Sequence, residues 1–175
     1  RVENIYPYGH HKYGDLADDN VLQETKLQLL PEARGYKIKA VVSGHGHAGP
    51  RNCCEWDSKT HTYYMNGWEL FRWNVWKDCG NNPIYPQGGT WPFDRAGWCP
   101  GTKVDEYEYE LTPFVKPGDT ISIDYEIEPY LDNGEKEGEF RISHQLFSYG
   151  SPNFMNDTEI IDIIVPSSKS AFSRF

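Results

Sequence analysis

No run of 18 or more apolar residues occurs in the chain, which excludes a membrane-spanning helix. Positive charge is scarce: 17 Lys and Arg against 26 Asp and Glu leave a net charge of −9. With no basic stripe to offset it, that balance repels phosphate backbones and argues against a nucleic-acid partner. Several chemical signatures are missing too: a glycine-rich phosphate loop of known spacing, a Gly-x-Ser-x-Gly elbow, a His-Glu-x-x-His pair and a Cys-x-x-Cys pair. No internal repeat or low-complexity tract occurs. A start at Arg1 without a signal peptide reads as a processed form whose address label has been removed.

Aromatic residues are plentiful, at 15%, although mean hydropathy is −0.72. Together with 16 Gly and 12 Pro this suits one all-β domain with aromatic packing, a polar surface and many loops. The patterning agrees. Residues 36–42 alternate and then turn apolar, as a strand running into a His-Gly turn. Residues 60–65 and 68–75 flank Asn66-Gly67, the two-residue turn favoured where both positions need positive φ. Residues 120–127, 138–147 and 159–165 read as three further strands, the first two joined through Asp132-Asn133-Gly134-Glu135, and a turn at Ser151-Pro152-Asn153 precedes the third. Residues 21–30 read as a short helix or a strand, ended by Pro31. The resulting division is a lead-in strand and loop over 1–35, a two-sheet antiparallel jelly roll over 36–166, and a tail over 167–175.

Residues 43–101 gather all four cysteines, all six tryptophans and three of the six histidines. Cys79 and Cys99 read as disulfide partners across a Pro/Gly/Trp-rich loop; a zinc site is the rival, but the spacings match no common zinc pattern. Disulfide use favours a secreted or periplasmic protein. Cys53 and Cys54 are neighbours, with Cα atoms about 3.8 Å apart across a trans peptide, so both are expected as free thiols. Glu55 and Asp57, one residue apart, share a face if the chain is extended there; two such carboxylates can supply an acid and a base, or simply be solvated. Asp94, Arg95 and Trp98 offer a carboxylate, a guanidinium fork and an indole face for a sugar ring, or a surface ion pair beside a core tryptophan. His45 and His47 face the same way on a strand and could bind copper or zinc. A third ligand is not evident, although Met65, Met155, His61 and His144 are available. Asn156-Asp157-Thr158 is a weak glycosylation match.

Ser43-Gly44-His45-Gly46-His47-Ala48-Gly49-Pro50, Cys53-Cys54-Glu55-Trp56, Thr60-His61-Thr62, Cys79-Gly80-Asn81-Asn82-Pro83-Ile84 and Asp94-Arg95-Ala96-Gly97-Trp98-Cys99-Pro100-Gly101 follow one another in that order. In this series the chain resembles the C-terminal jelly-roll domain of the peptide-N-glycosidase F family, amidases that remove N-linked glycans. The resemblance covers roughly residues 36–165. It implies an eight-stranded antiparallel jelly roll whose site lies in a cleft shared with a first jelly roll, a domain this chain is too short to contain. It also implies that Glu55 helps hold water and substrate, that Arg95 lies near the attacking water, and that Trp56 and Trp98 line the cleft. Cys79 and Cys99 match a family disulfide, and His47 a family histidine. His45 stands where a tryptophan is usual. Asp57 replaces a cysteine that bridges back across the glutamate, so that small disulfide is expected to be lost. The run through Asp57 also echoes the segment of the absent domain that ends in its catalytic aspartate, so Asp57 is expected to restore a carboxylate.

The expected function is hydrolysis of the N-glycan–asparagine amide of glycopeptides, together with a first jelly-roll domain or partner subunit. A carboxylate would activate water, Arg95 would stabilise the oxyanion, and no cofactor or metal would be needed. The alternatives are a non-catalytic glycan-binding module and a copper monooxygenase-like domain using His45 and His47.

Overall fold

A computed structural model describes residues 1–48, 53–84, 86–129 and 137–150. In chain order its elements are β1 (Val2–Lys12), α1 (Tyr13–Ala17), β2 (Thr25–Gln28), β3 (Gly35–His45), β4 (His47–Ala48) and β5 (Cys53–Cys54), then β6 (Lys59–Met65), β7 (Trp68–Val75), β8 (Glu106–Glu110), β9 (Thr120–Ile127) and β10 (Glu139–Tyr149). Two four-stranded antiparallel sheets face each other, in the orders β1-β10-β3-β8 and β2-β9-β6-β7, and β4 and β5 form a short ribbon outside them. This is the all-β jelly-roll sandwich expected, with eight strands in its two sheets. The proposed strand at 159–165, the turn at 151–153, the sequon, the connection at 132–135 and the tail at 167–175 lie outside the described residues.

Side-chain alternation sets the layers. Ile38, Ala40 and Val42 of β3 and Phe140, Ile142 and Leu146 of β10 point inward to meet Ile121, Ile123, Tyr125 and Ile127 of β9. Each large apolar side chain buried this way contributes about 1.5–3 kcal/mol of transfer free energy. The β6–β7 hairpin turns at Asn66 and Gly67, both at positive φ (52° and 81°), as the Asn-Gly pair requires. Within residues 21–30 only Thr25–Gln28 forms a strand, β2, so the strand alternative holds over that stretch. The lead-in is an edge strand paired along β10, with register shifts near Tyr6. β8, Glu-Tyr-Glu-Tyr-Glu, is an edge strand that the sequence reading leaves unassigned; Tyr109 stacks on Phe71 at 4.9 Å between ring centres.

Two histidines lie inside the sandwich. His61 and His144 are fully buried, and both rings contact Tyr125. His61 Nδ1 hydrogen-bonds the Tyr125 hydroxyl at 2.6 Å, while both His144 ring nitrogens lack a partner among the described residues. Burial pushes the His61 pKa down to about 3. It likewise holds His144 well below the ordinary histidine value, with His61 and His11 adding to the effect. These are core residues, separated from His45 and His47 by the sheet.

Candidate active site

β3 runs out of the sheet at His45, and Gly46 (φ 93°) turns the chain into β4. The Gly46 carbonyl then accepts from the backbone N–H groups of both Cys54 (3.0 Å) and Glu55 (3.1 Å), fixing where Glu55 emerges. From the other side, Ala96 N–H donates to the Glu55 carbonyl (2.9 Å), and the Ala96 carbonyl accepts from Gly44 N–H (3.0 Å). Residues 53–55 and 94–97 are thereby laced to the end of β3. The lacing demands glycine. A Cβ on Gly44 would overlap the Cys54 carbonyl oxygen, and one on Gly97 would overlap the Val42 carbonyl and sit 2.9 Å from Val75 Cγ1. Gly97 also has φ 77°, where an L side chain is strained.

Arg95 is the centre of the arrangement. Its side chain is 3% exposed, and its Nε donates to Glu55 Oε1 at 3.0 Å. Nη1 donates to the carbonyls of Phe93 (2.7 Å) and Trp91 (3.4 Å), and Nη2 to the Thr90 carbonyl (2.9 Å) and hydroxyl (3.1 Å). Those bonds occupy all five guanidinium N–H donors. The expected oxyanion role needs a free donor, which these bonds do not leave; the Nε donor is spent on Glu55. The guanidinium also lies between two indoles, its carbon 4.2 Å from the Trp56 ring centre and 5.1 Å from that of Trp98.

The column continues at both ends. His45 stacks on Trp98 at 5.1 Å, its Nε2 hydrogen-bonded to Ser43 Oγ at 2.9 Å, and burial lowers its pKa, with nearby Arg141 adding to the effect. Trp98 therefore has a neighbour over each face, and its N–H donates to the Gly44 carbonyl. At the far end Trp56 Nε1 donates to His47 Nε2 at 2.8 Å, and Phe93 meets Trp56 edge-on. An indole N–H only donates, so the His47 nitrogen it meets carries a lone pair. The same His47 nitrogen lies 3.9 Å from Glu55 Oε2, the oxygen that Arg95 leaves free. The side-chain exposures are 62% for His47 and 16% for Glu55, so the carboxylate lies just under the rim that His47 forms.

The structure brings together Glu55, Trp56, Arg95, Trp98, His45 and His47. It takes Asp57 elsewhere. Residues 55–57 bend rather than extend, and Asp57 is buried with Lys59 Nζ at 2.6 Å from its Oδ2; Glu128 lies 3.5 Å from the same ammonium. The shared carboxylate face thus fails, because the turn sends the two acids to different cations. Asp94 is not paired with Arg95 either: its Oδ1 accepts from Cys79 N–H at 3.0 Å, bracing the loop. His45 and His47 do not share a face, since Gly46 ends the strand between them and each ring attaches to a different indole. Among the described residues no group of three His, Cys, Asp or Glu could hold a metal ion.

Cys79 and Cys99 are bonded, as expected, with Cα atoms 5.5 Å apart, and close a ring around the loop that carries Arg95. Cys53 and Cys54 are also bonded to each other. The free-thiol expectation assumed a trans peptide; the Cys53–Cys54 peptide is cis and the Cα atoms are 3.0 Å apart. This bond joins neighbours on one side of Glu55; with Asp at position 57, no bridge runs across the glutamate. The residues that sequence reasoning missed are Thr90 and Phe93, which cradle the guanidinium through backbone carbonyls that no side-chain pattern announces.

Comparison with known proteins places this geometry. A family model described as Peptide-N-glycosidase F, C terminal, matches residues 12–147. The chain is 35% identical over 119 residues to the peptide-N(4)-(N-acetyl-beta-D-glucosaminyl)asparagine amidase F of Elizabethkingia miricola, covering 62% of this chain and 32% of that protein. The solved structure of PNGase F, a glycosylasparaginase from Flavobacterium meningosepticum, matches with a TM-score of 0.76 at 28% identity, over 86% of this chain and 51% of that one. A recombinant peptide:N-glycanase F matches at 0.77 with 30% identity, over 85% and 51%. PNGF-II, at 17% identity and a TM-score of 0.61, shares the fold. The chain spans about a third of the curated relative and about half of the first two solved chains. With the matched region running from the end of β1 through most of β10, and holding both Glu55 and Arg95, the chain belongs to the peptide-N-glycosidase F family as its C-terminal domain.

Proposed function

We propose that this chain supplies the Glu55 half of a peptide-N-glycosidase site and acts on N-linked glycopeptides together with a first jelly-roll domain or partner subunit, outside the cell. The carrying observation is a carboxylate with one oxygen fixed by a fully bonded arginine and the other without a hydrogen-bond donor among the described residues. Glu55 Oε2 would orient or deprotonate the water that attacks the carbonyl carbon of the glycosylated asparagine. The C–N bond to the sugar-bearing nitrogen then breaks, the leaving glycosylamine takes up a proton, and the asparagine becomes aspartate. Arg95 holds Glu55 oriented, Trp56 and Phe93 form the aromatic wall beside it, and the partner domain brings the principal acid. Asp57, paired with Lys59, takes a structural part.

A second reading, glycan binding without cleavage, draws on the same fact that Arg95 has no donor left for an oxyanion. Mass spectrometry of an N-glycopeptide incubated with the two-domain protein separates the two. Amidase action converts Asn to Asp, and Glu55→Gln should slow it by about 100-fold or more, the usual scale for a positioned acid–base group. Intact glycopeptide with the unaltered protein, or undiminished turnover in Glu55→Gln, would reject the catalytic reading.

A further inference from the structure

Beside the His45–Trp98 stack, and lined by both rings, lies a cleft of about 420 Å³ on the first sheet, bordered by Thr102 and Val104 of the loop after Cys99. It falls in the range of about 300–1,000 Å³ typical of small-ligand sites. The amidase reading makes no use of it. Arg141 of β10 sits in the middle of the sheet, flanked by His10 on β1 and Ser43 on β3. Its Nε reaches Glu139 only at 3.4 Å, and among the described residues its Nη groups have no acceptor. The side chain is 42% exposed. In a chain where acids outnumber bases 26 to 17, no carboxylate lines this cleft. The remaining lining divides in two. Ser43, Ser143 and Thr102 offer hydroxyl groups, while Tyr8, Val41 and Val104 offer apolar surface.

We propose that this cleft binds a carboxylate-bearing sugar, its acid group held in the fork of Arg141 and its ring between the hydroxyls and the Tyr8 side. A guanidinium with free Nη donors suits a carboxylate in bidentate geometry. A bare anion would leave most of the space empty, and a neutral sugar would leave the Nη groups without a charged acceptor. The site lies apart from the free oxygen of Glu55, so it goes beyond amide hydrolysis and does not depend on it.

Isothermal titration of the purified chain tests this with four probes: 3′-sialyllactose, a glucuronic-acid-terminated disaccharide, lactose and acetate. The acidic sugars should bind saturably. Lactose, acetate and the Arg141→Gln variant should each weaken binding about tenfold or more, the scale of one lost charged hydrogen bond. Thr102→Tyr, which fills the cleft from the loop side, should abolish binding even if Arg141→Gln folds poorly. Glu55→Gln should leave binding unchanged while impairing amidase action, so the two readings fail separately. Binding by both acidic sugars supports the class, and binding by one identifies the source of the acid. Equal binding of lactose or acetate, no binding of either acidic sugar, indifference to Arg141→Gln, or loss in Glu55→Gln would overturn the proposal.

Discussion

Lowering the pH from 7 to 5 should strain this fold at two points in its centre. His61 and His144 are buried without an acid beside them, and both favour the neutral form in the folded state. In the unfolded chain each titrates near 6.5. The folded values lie below that, so the unfolded state binds more protons as pH falls, and stability declines from pH 6.5 downward. Each histidine costs about 1.4 kcal/mol per pH unit until its folded pKa is reached, about 3 for His61. By pH 5 His61 alone removes about 2 kcal/mol, and His144 adds to it in the same direction, against the 5–15 kcal/mol that typically holds a domain together. His11 and His45, less buried, add in the same direction. Glu106 and Glu110, lowered by hydrogen bonds from Lys103 and Thr112 respectively, lose their share only as pH falls into the carboxylate range. Urea unfolding followed by tryptophan fluorescence between pH 6.5 and 5 reads the slope. In His61→Phe the slope should fall by about 1.4 kcal/mol per pH unit, whatever the variant does to stability at pH 7. Identical slopes for the two proteins would refute the reasoning.

Arg95→Gln should cost about 3–5 kcal/mol, since it removes one partner of a nearly buried ion pair, and a thermal melt should show a drop of about 10 °C. Arg95→Lys should not restore the loss, because an ammonium cannot reach three carbonyls, a hydroxyl and a carboxylate in one plane. Gly97→Ala should destabilise by about 2 kcal/mol or more through the clash with Val42 and its positive φ, read by urea midpoint. Asp57→Asn should cost about 3–5 kcal/mol by leaving the Lys59 charge short of its partner, yet leave the turnover of folded protein intact on a glycopeptide. Turnover lost without loss of stability would instead make Asp57 catalytic.

The strands that the sequence discloses are those with one wet face. β9 and β10 alternate cleanly, and the Asn66-Gly67 hairpin carries its own turn chemistry. β1 is less legible because it is a half-exposed edge strand with register shifts, where both faces tolerate polar residues. β8 hides its pattern differently: tyrosines take the inward positions that aliphatic residues hold elsewhere. The site was legible in composition but not in partnership. Glu55 and Arg95 lie 40 positions apart, and periodicity carries no information about such a pairing. The adjacent-carboxylate idea failed for a local reason, because alternation holds only in extended chain and residues 55–57 turn.

The carbonyls that grip Arg95 belong to residues 90–93, inside the ring closed by Cys79 and Cys99, whereas the two sheets contain no crosslink between them. Fold and site therefore answer to different chemistry: the sandwich stands on apolar contact, and the carboxylate's aim stands on a sulfur clasp some distance down the chain. A reductant could leave the two-sheet frame upright while unthreading the socket that holds Glu55 in place.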